Sequence, residues 1–179
     1  MADQDPHHIL ELPSFDKPVK LLIAVAPFYR DIADMLIAGA TAKLEQAGAT
    51  HDMVQVPGAL ELPPAIALAH RMSNYDGYVA LGCVIRGATT HYETVCNDSS
   101  RGLTLLGLQG ALIGNGILTV ENHEQAVERA NPADMDKGGG AAAAALHLIA
   151  LARKWGGQTK GVGFKPAGSF QIAEGSDRA

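Results

Sequence analysis

The sequence predicts an α/β fold, a parallel sheet covered by helices on both sides. Unbroken apolar runs at residues 21–26 and 77–85 have the composition of strands buried on both faces. Between and after them apolar residues return every three or four positions, the helical period, so strand and helix alternate along the chain. The length, 179 residues, suits one domain with some overhang.

The first strand, 21–26, is ended by Pro27. From 31 to 47, Ile32, Met35, Leu36, Ala40, Leu44 and Ala47 form one helical stripe, with Asp31 placed to cap it and Gly48 to terminate it. A short strand at 52–56 and the turn Pro57-Gly58 lead to a helix over 62–72, where Pro63 and Pro64 fall in the first turn and their missing N–H groups cost nothing. Strand 77–85 passes through a Gly-Ala-Thr-Thr turn into a helix over 90–109, and strand 111–120 follows. A short helix around 124–129, a polar loop at 131–136 and an Ala-rich helix over 139–154 complete the pattern. In such an arrangement ligands are expected at the carboxyl ends of the strands. Residues 1–18 and 156–179 lack periodicity and read as tails around a domain spanning 19–155. The glycine-rich C-terminal tail is expected to be flexible, with Phe164, Phe170 and Ile172 as its means of strapping onto a neighbouring subunit.

Hydrophobic residues at 47% and charged residues at 18% describe a chain that folds. A net charge of -5 leaves no basic footprint, so neither nucleic acid nor an anionic membrane is expected as a partner. No apolar run approaches the roughly 18–20 residues that cross a bilayer, and the acidic start Met1-Ala2-Asp3-Gln4-Asp5 is unlike a signal peptide, so a cytoplasmic location is expected. Two cysteines, Cys83 and Cys96, provide neither a disulfide framework nor a zinc site, and both are expected to be reduced core thiols.

Common catalytic signatures are missing. There is no phosphate-binding G-x-x-x-x-G-K-[ST], and Gly138-x-Gly140-x-x-Ala143 follows a charged loop where a dinucleotide fingerprint needs a strand. His91-x-Glu93 is followed by no P-C-x-x-C, and neither Ser99 nor Ser100 lies in a G-x-S-x-G elbow. The unusual residues stand instead at strand ends: Phe28, then Gly58-Ala59-Leu60-Glu61, then Arg86-Gly87-Ala88-Thr89-Thr90-His91. A turn of small residues opening a helix offers backbone N–H groups to an anion, and Thr89 or Thr90 adds a hydroxyl, so the expected ligand is a phosphate. His91 is either the proton carrier beside that phosphate, a role that suits an imidazole, or simply a histidine at a helix start. Glu61 is either a ligand group or a first-turn carboxylate favoured by the helix dipole, and Phe28 either a stacking face or a core aromatic. By composition alone, Arg129 and Lys137 are surface charges.

Five segments carry a family resemblance: Val56-Pro57-Gly58-Ala59-Leu60-Glu61-Leu62-Pro63; Gly82-Cys83-Val84-Ile85-Arg86-Gly87-Ala88-Thr89-Thr90-His91-Tyr92-Glu93; Leu118-Thr119-Val120-Glu121-Asn122; Glu128-Arg129-Ala130; and Lys137-Gly138. From about Val19 to Lys154 the chain closely resembles the lumazine synthases. The resemblance implies a flavodoxin-like three-layer α/β/α sandwich around a four-stranded parallel sheet, assembled at least into homopentamers with active sites between adjacent subunits. It implies condensation of 5-amino-6-(D-ribitylamino)uracil with 3,4-dihydroxy-2-butanone 4-phosphate to 6,7-dimethyl-8-ribityllumazine, without metal or organic cofactor. By the same resemblance Phe28 stacks on the pyrimidine, and Ala59, Leu60, Glu61, Cys83, Val84 and Ile85 hold the ring and ribityl chain. Ala88 and Thr89 bind the phosphate, and His91 moves the proton. The neighbouring subunit supplies Asn115 to the pocket wall and Arg129 to the phosphate, with Lys137 close by.

The chain departs from the family pattern at Asn115, where an aromatic residue is frequent, at Leu60, where Phe or Ser is frequent, and after Lys137, where Gly138-Gly139-Gly140 replaces a nearby acidic residue. Shell-forming relatives tend to carry Gly-Asn-Lys-Gly where this chain has Met135-Asp136-Lys137-Gly138, so an isolated pentamer is expected. The alternative functions are a non-catalytic flavin or lumazine binder on the same scaffold and, last, a flavodoxin-like electron carrier. His91 beside a phosphate turn argues against the first, and the absence of a Ser/Thr- or Gly-rich loop after strand one against the second.

Overall fold

A computed structural model describes residues 10–156; residues 1–9 and the glycine-rich segment 157–179, with the flexibility expected of it, lie outside the described residues. Four strands, β1 (Lys20–Val25), β2 (Thr50–Gln55), β3 (Gly77–Ile85) and β4 (Ile113–Val120), form one all-parallel sheet in the order β2-β1-β3-β4. Five α-helices connect and follow them: α1 (Arg30–Gln46), α2 (Leu62–Met72), α3 (His91–Leu108), α4 (His123–Ala130) and α5 (Lys137–Gly156).

The side-chain alternation of β1 divides the core in two. Leu21, Ile23 and Val25 pack with α1, α4 and α5, whereas Leu22 and Ala24 pack with α2 and α3. This is the expected three-layer α/β/α sandwich. Both faces of β1 and β3 are buried, which is why these strands read as unbroken apolar runs, and each fully buried Leu, Ile or Val contributes about 1.5–3 kcal/mol to the sheet's cover. Strand β2 is the outer strand and largely exposed, starting two residues earlier than its sequence suggests.

Two helix starts are capped in ways the sequence did not announce. Asp31 does not cap α1, whose N-cap is Tyr29 with no side-chain hydrogen bond; its carboxylate instead pairs with His123 Nε2 at 2.7 Å and ties α1 to α4. Helix α5 begins at Lys137, two residues early, because Asp136 at φ 43° accepts the Gly139 N–H at 3.0 Å and caps it.

The glycines of α5 and β4 have a packing reason. A Cβ on Gly138 would stand 2.2 Å from the Leu36 carbonyl oxygen of α1, and one on Gly114 would stand 1.8 Å from that of Ala141. Helix α5 therefore meets α1 and β4 backbone to backbone. On the amino side, Leu12 and Phe15 pack against the core, and Arg153 donates to the carbonyls of Lys17 (2.9 Å) and Pro18 (2.8 Å).

Candidate active site

At the carboxyl ends of β1 and β3 a cleft of about 410 Å³ opens between the Phe28 loop, the 3₁₀ turn Ala59–Glu61 and the start of α3. Its size lies within the roughly 300–1,000 Å³ of small-molecule sites. It gathers Phe28, Ala59, Leu60, Glu61, Cys83, Val84, Ile85, Thr89 and His91. Ala88 is exposed on the turn and is not among the lining residues.

Phe28 is 72% exposed, its ring set edge-on to Tyr29 at 5.1 Å between centroids, so the core-aromatic alternative fails and an apolar face is left open to a ligand. Glu61 closes the 3₁₀ turn, its backbone N–H donating to the Gly58 carbonyl at 3.1 Å. The Cys83 thiol is buried, and desolvation with the nearby Asp31 charge pushes it up to about 12, so it stays protonated. Cys96 is only half-buried, unlike the core position expected for it.

His91 is the first residue of α3 and is exposed, its backbone N–H 3.4 Å from Thr89 Oγ1. The N-cap, Thr90, makes no side-chain capping hydrogen bond. Helix α3 thus points first-turn N–H groups and the positive end of its dipole toward the cleft. Behind the turn, Arg86 Nε donates to Glu121 Oε2 at 2.7 Å, its Nη1 donates to Glu93, and its guanidinium lies 4.1 Å from the Tyr92 ring centroid. Hydrogen bonds from Arg86 hold the Glu93 carboxyl below its ordinary value.

A second, shallower pocket of about 430 Å³ runs along β4, the other outer strand, against α4 and α5. It gathers Asn115, Thr119, Arg129 and Lys137 and shares no lining residue with the cleft. Asn115 Oδ1 accepts the Ile117 N–H at 2.9 Å, and Arg129 Nη1 donates to the Gln125 carbonyl and to Glu128, both at 3.3 Å. Among the described residues, no Arg or Lys lines the cleft. Among the described residues no three His, Cys, Asp or Glu side chains are grouped to hold a metal, and no helix is long and apolar enough to cross a membrane.

Residues 18–153 match the family model of 6,7-dimethyl-8-ribityllumazine synthase. The chain belongs to the lumazine synthase family. It is accordingly an enzyme, a transferase of riboflavin biosynthesis. A lumazine synthase of Jannaschia sp. (strain CCS1) is 58% identical over 170 residues, covering 95% of this chain and 96% of the relative. Another, from Novosphingobium aromaticivorans, is 56% identical over 136 residues, 76% of this chain and 98% of the relative. A third, from Agrobacterium fabrum, is 56% identical over 143 residues, 76% of this chain and 97% of the relative.

Within this lumazine synthase fold the cleft also includes Tyr29, Tyr92 and Val95, which the sequence reading passed over. A signal for one of them exists: Val95, at the i+4 spacing, shares His91's side of α3.

Proposed function

We propose that the chain condenses 5-amino-6-(D-ribitylamino)uracil with 3,4-dihydroxy-2-butanone 4-phosphate in a site that two adjacent copies build together, giving 6,7-dimethyl-8-ribityllumazine, one phosphate and two waters. One observation carries the two-copy reading. The cleft has a proton carrier and an anion-binding turn but, among the described residues, no Arg or Lys in its lining, while Arg129 and Lys137 stand in a separate pocket on the outer strand. A phosphate dianion needs a cation, and a neighbour's pocket can supply it.

In this reading the pyrimidine stacks on Phe28, with main-chain groups of Ala59, Leu60, Cys83, Val84 and Ile85 along its edge and the Glu61 carboxylate accepting from ribityl hydroxyls. The α3 turn, Ala88 and Thr89, receives the phosphate from one side, and the neighbour's Arg129 and Lys137 receive it from the other. Asn115 of that neighbour closes the wall. The amine attacks the ketone and water leaves as the Schiff base forms; phosphate is then eliminated, and ring closure releases the second water. Each step moves a proton, which His91 accepts and returns, and the rest of the rate comes from alignment of two substrates and electrostatic support of the leaving phosphate. No covalent nucleophile is required, in keeping with a Cys83 thiol that stays protonated. The assembly is a homopentamer in the cytoplasm, acting on small molecules without metal or cofactor.

Incubating the purified chain with both substrates tests the reading. Lumazine absorbance should rise together with an equal amount of released phosphate. Binding of the pyrimidine with no product would return the chain to the binder alternative.

A further inference from the structure

The proposed chemistry leaves Arg86 without a task, although its side chain has three partners beside the cleft, Glu93, Glu121 and Tyr92. It stands at the end of β3, where its backbone N–H donates to the Val120 carbonyl at 2.9 Å. Its guanidinium reaches Glu93 in the first turn of α3, two residues after His91, and Glu121 at the end of β4 at 2.7 Å. It also lies over Tyr92, which lines the cleft. Glu121 directly precedes Asn122, whose side chain caps α4 by accepting the Gln125 N–H at 2.9 Å, and α4 carries Arg129. One side chain therefore staples the turn 87–90 shut from residue 86 to residue 93 and fastens it to the β4–α4 corner. All three ion-pair partners are substantially exposed, and such pairs add little to the stability of a fold. A rigid planar fork does fix orientation, which a flexible ammonium does not.

We propose that Arg86 is a positioning residue: by holding Glu93 and Glu121 on its own guanidinium it sets the anion-binding turn and keeps two carboxylates from facing the substrate phosphate. This rests on the reading that the turn 87–90 takes that phosphate. Released from Arg86, the carboxylates would repel the dianion that the turn is built to receive.

Steady-state kinetics of Arg86→Gln, Arg86→Lys and the double variant Arg86→Gln/Glu93→Gln, with thermal melts alongside, test it. In Arg86→Gln the KM for the butanone phosphate should rise on the order of tenfold, the low end of what losing an orienting partner costs, while the KM for the pyrimidine and the melting temperature change little. Arg86→Lys should recover only part of the loss, and adding Glu93→Gln should recover part by removing a repelling charge. An unchanged KM for the phosphate substrate, or an equal rise for both substrates, overturns the proposal. Titration with inorganic phosphate separates it from the reading it rests on. If the wild type makes no lumazine yet binds phosphate, weaker binding by Arg86→Gln still supports the clamp, and equal binding overturns it. A wild type that neither turns over nor binds phosphate overturns both.

Discussion

His91 is open to water at the start of α3, and that openness limits what its loss can cost. General acid–base groups contribute about 10²–10⁴-fold, and where solvent reaches the reacting atoms the lower end applies, so His91→Ala should lower kcat by about 10²-fold or less and leave pyrimidine binding intact. Steady-state kinetics with each substrate varied in turn check this, and an unchanged kcat removes His91 from the mechanism. At this scale the candidate site was legible wherever a residue type sat oddly at a strand end. Phe28, Glu61, Thr89 and His91 stood out in that way, and the structure gathers them in one cleft. Arg129 and Lys137 did not stand out, because a lone cation on a helix reads as surface charge until a neighbouring pocket gives it something to face. Tyr92 was hidden by its neighbour: one step along a helix turns a side chain by about 100°, so a pattern search centred on His91 passes over it.

Elements were legible in proportion to how local their causes are. Helix α2 and strand β3 have the bounds their patterns predict, since prolines in a first turn and an unbroken apolar run act through the chain itself. The starts of α1 and α5 were misplaced because their causes are tertiary: Asp31 is drawn to His123 on another helix, and Asp136, its carboxylate lodged where Gly39 of α1 leaves room, takes a left-handed backbone to cap α5. In the sequence the three glycines after Lys137 stood out only as a departure from the family pattern. Gly138 is the seam with α1, where a Cβ would meet the Leu36 carbonyl; a Cβ on Gly139 would meet the Asp136 carboxylate that caps α5, and Gly140 has nothing within 4 Å. The pair of variants Gly138→Ala and Gly140→Ala separates these roles. Gly138→Ala should destabilise by about 1–3 kcal/mol, as overpacking does, whereas Gly140→Ala should be neutral or stabilise by up to about 1 kcal/mol. Thermal denaturation of the two variants side by side is the measurement, and equal melting temperatures would show the seam to be slack.

For the whole molecule, the alternation of apolar runs and helical stripes was enough to predict the sandwich, while the placement of two unshared pockets, at the strand ends and along the outer strand β4, was visible only in three dimensions. If each site joins the cleft of one copy to the β4 pocket of the next, His91→Ala and Arg129→Ala should complement each other. Co-refolded in equal amounts, the two near-inactive variants should recover about a quarter of wild-type activity, the share of random interfaces in a ring that pair an intact His91 with an intact Arg129. Activity no higher than the average of the parents would show that the sites do not straddle two copies. With sites shared in that way, the separation of pockets would also set how the assembly tolerates damaged copies. A chain spoiled in both pockets occupies a place in two sites, one with each neighbour, so activity falls as the square of the intact fraction and a defective version made alongside a sound one poisons more than its own share.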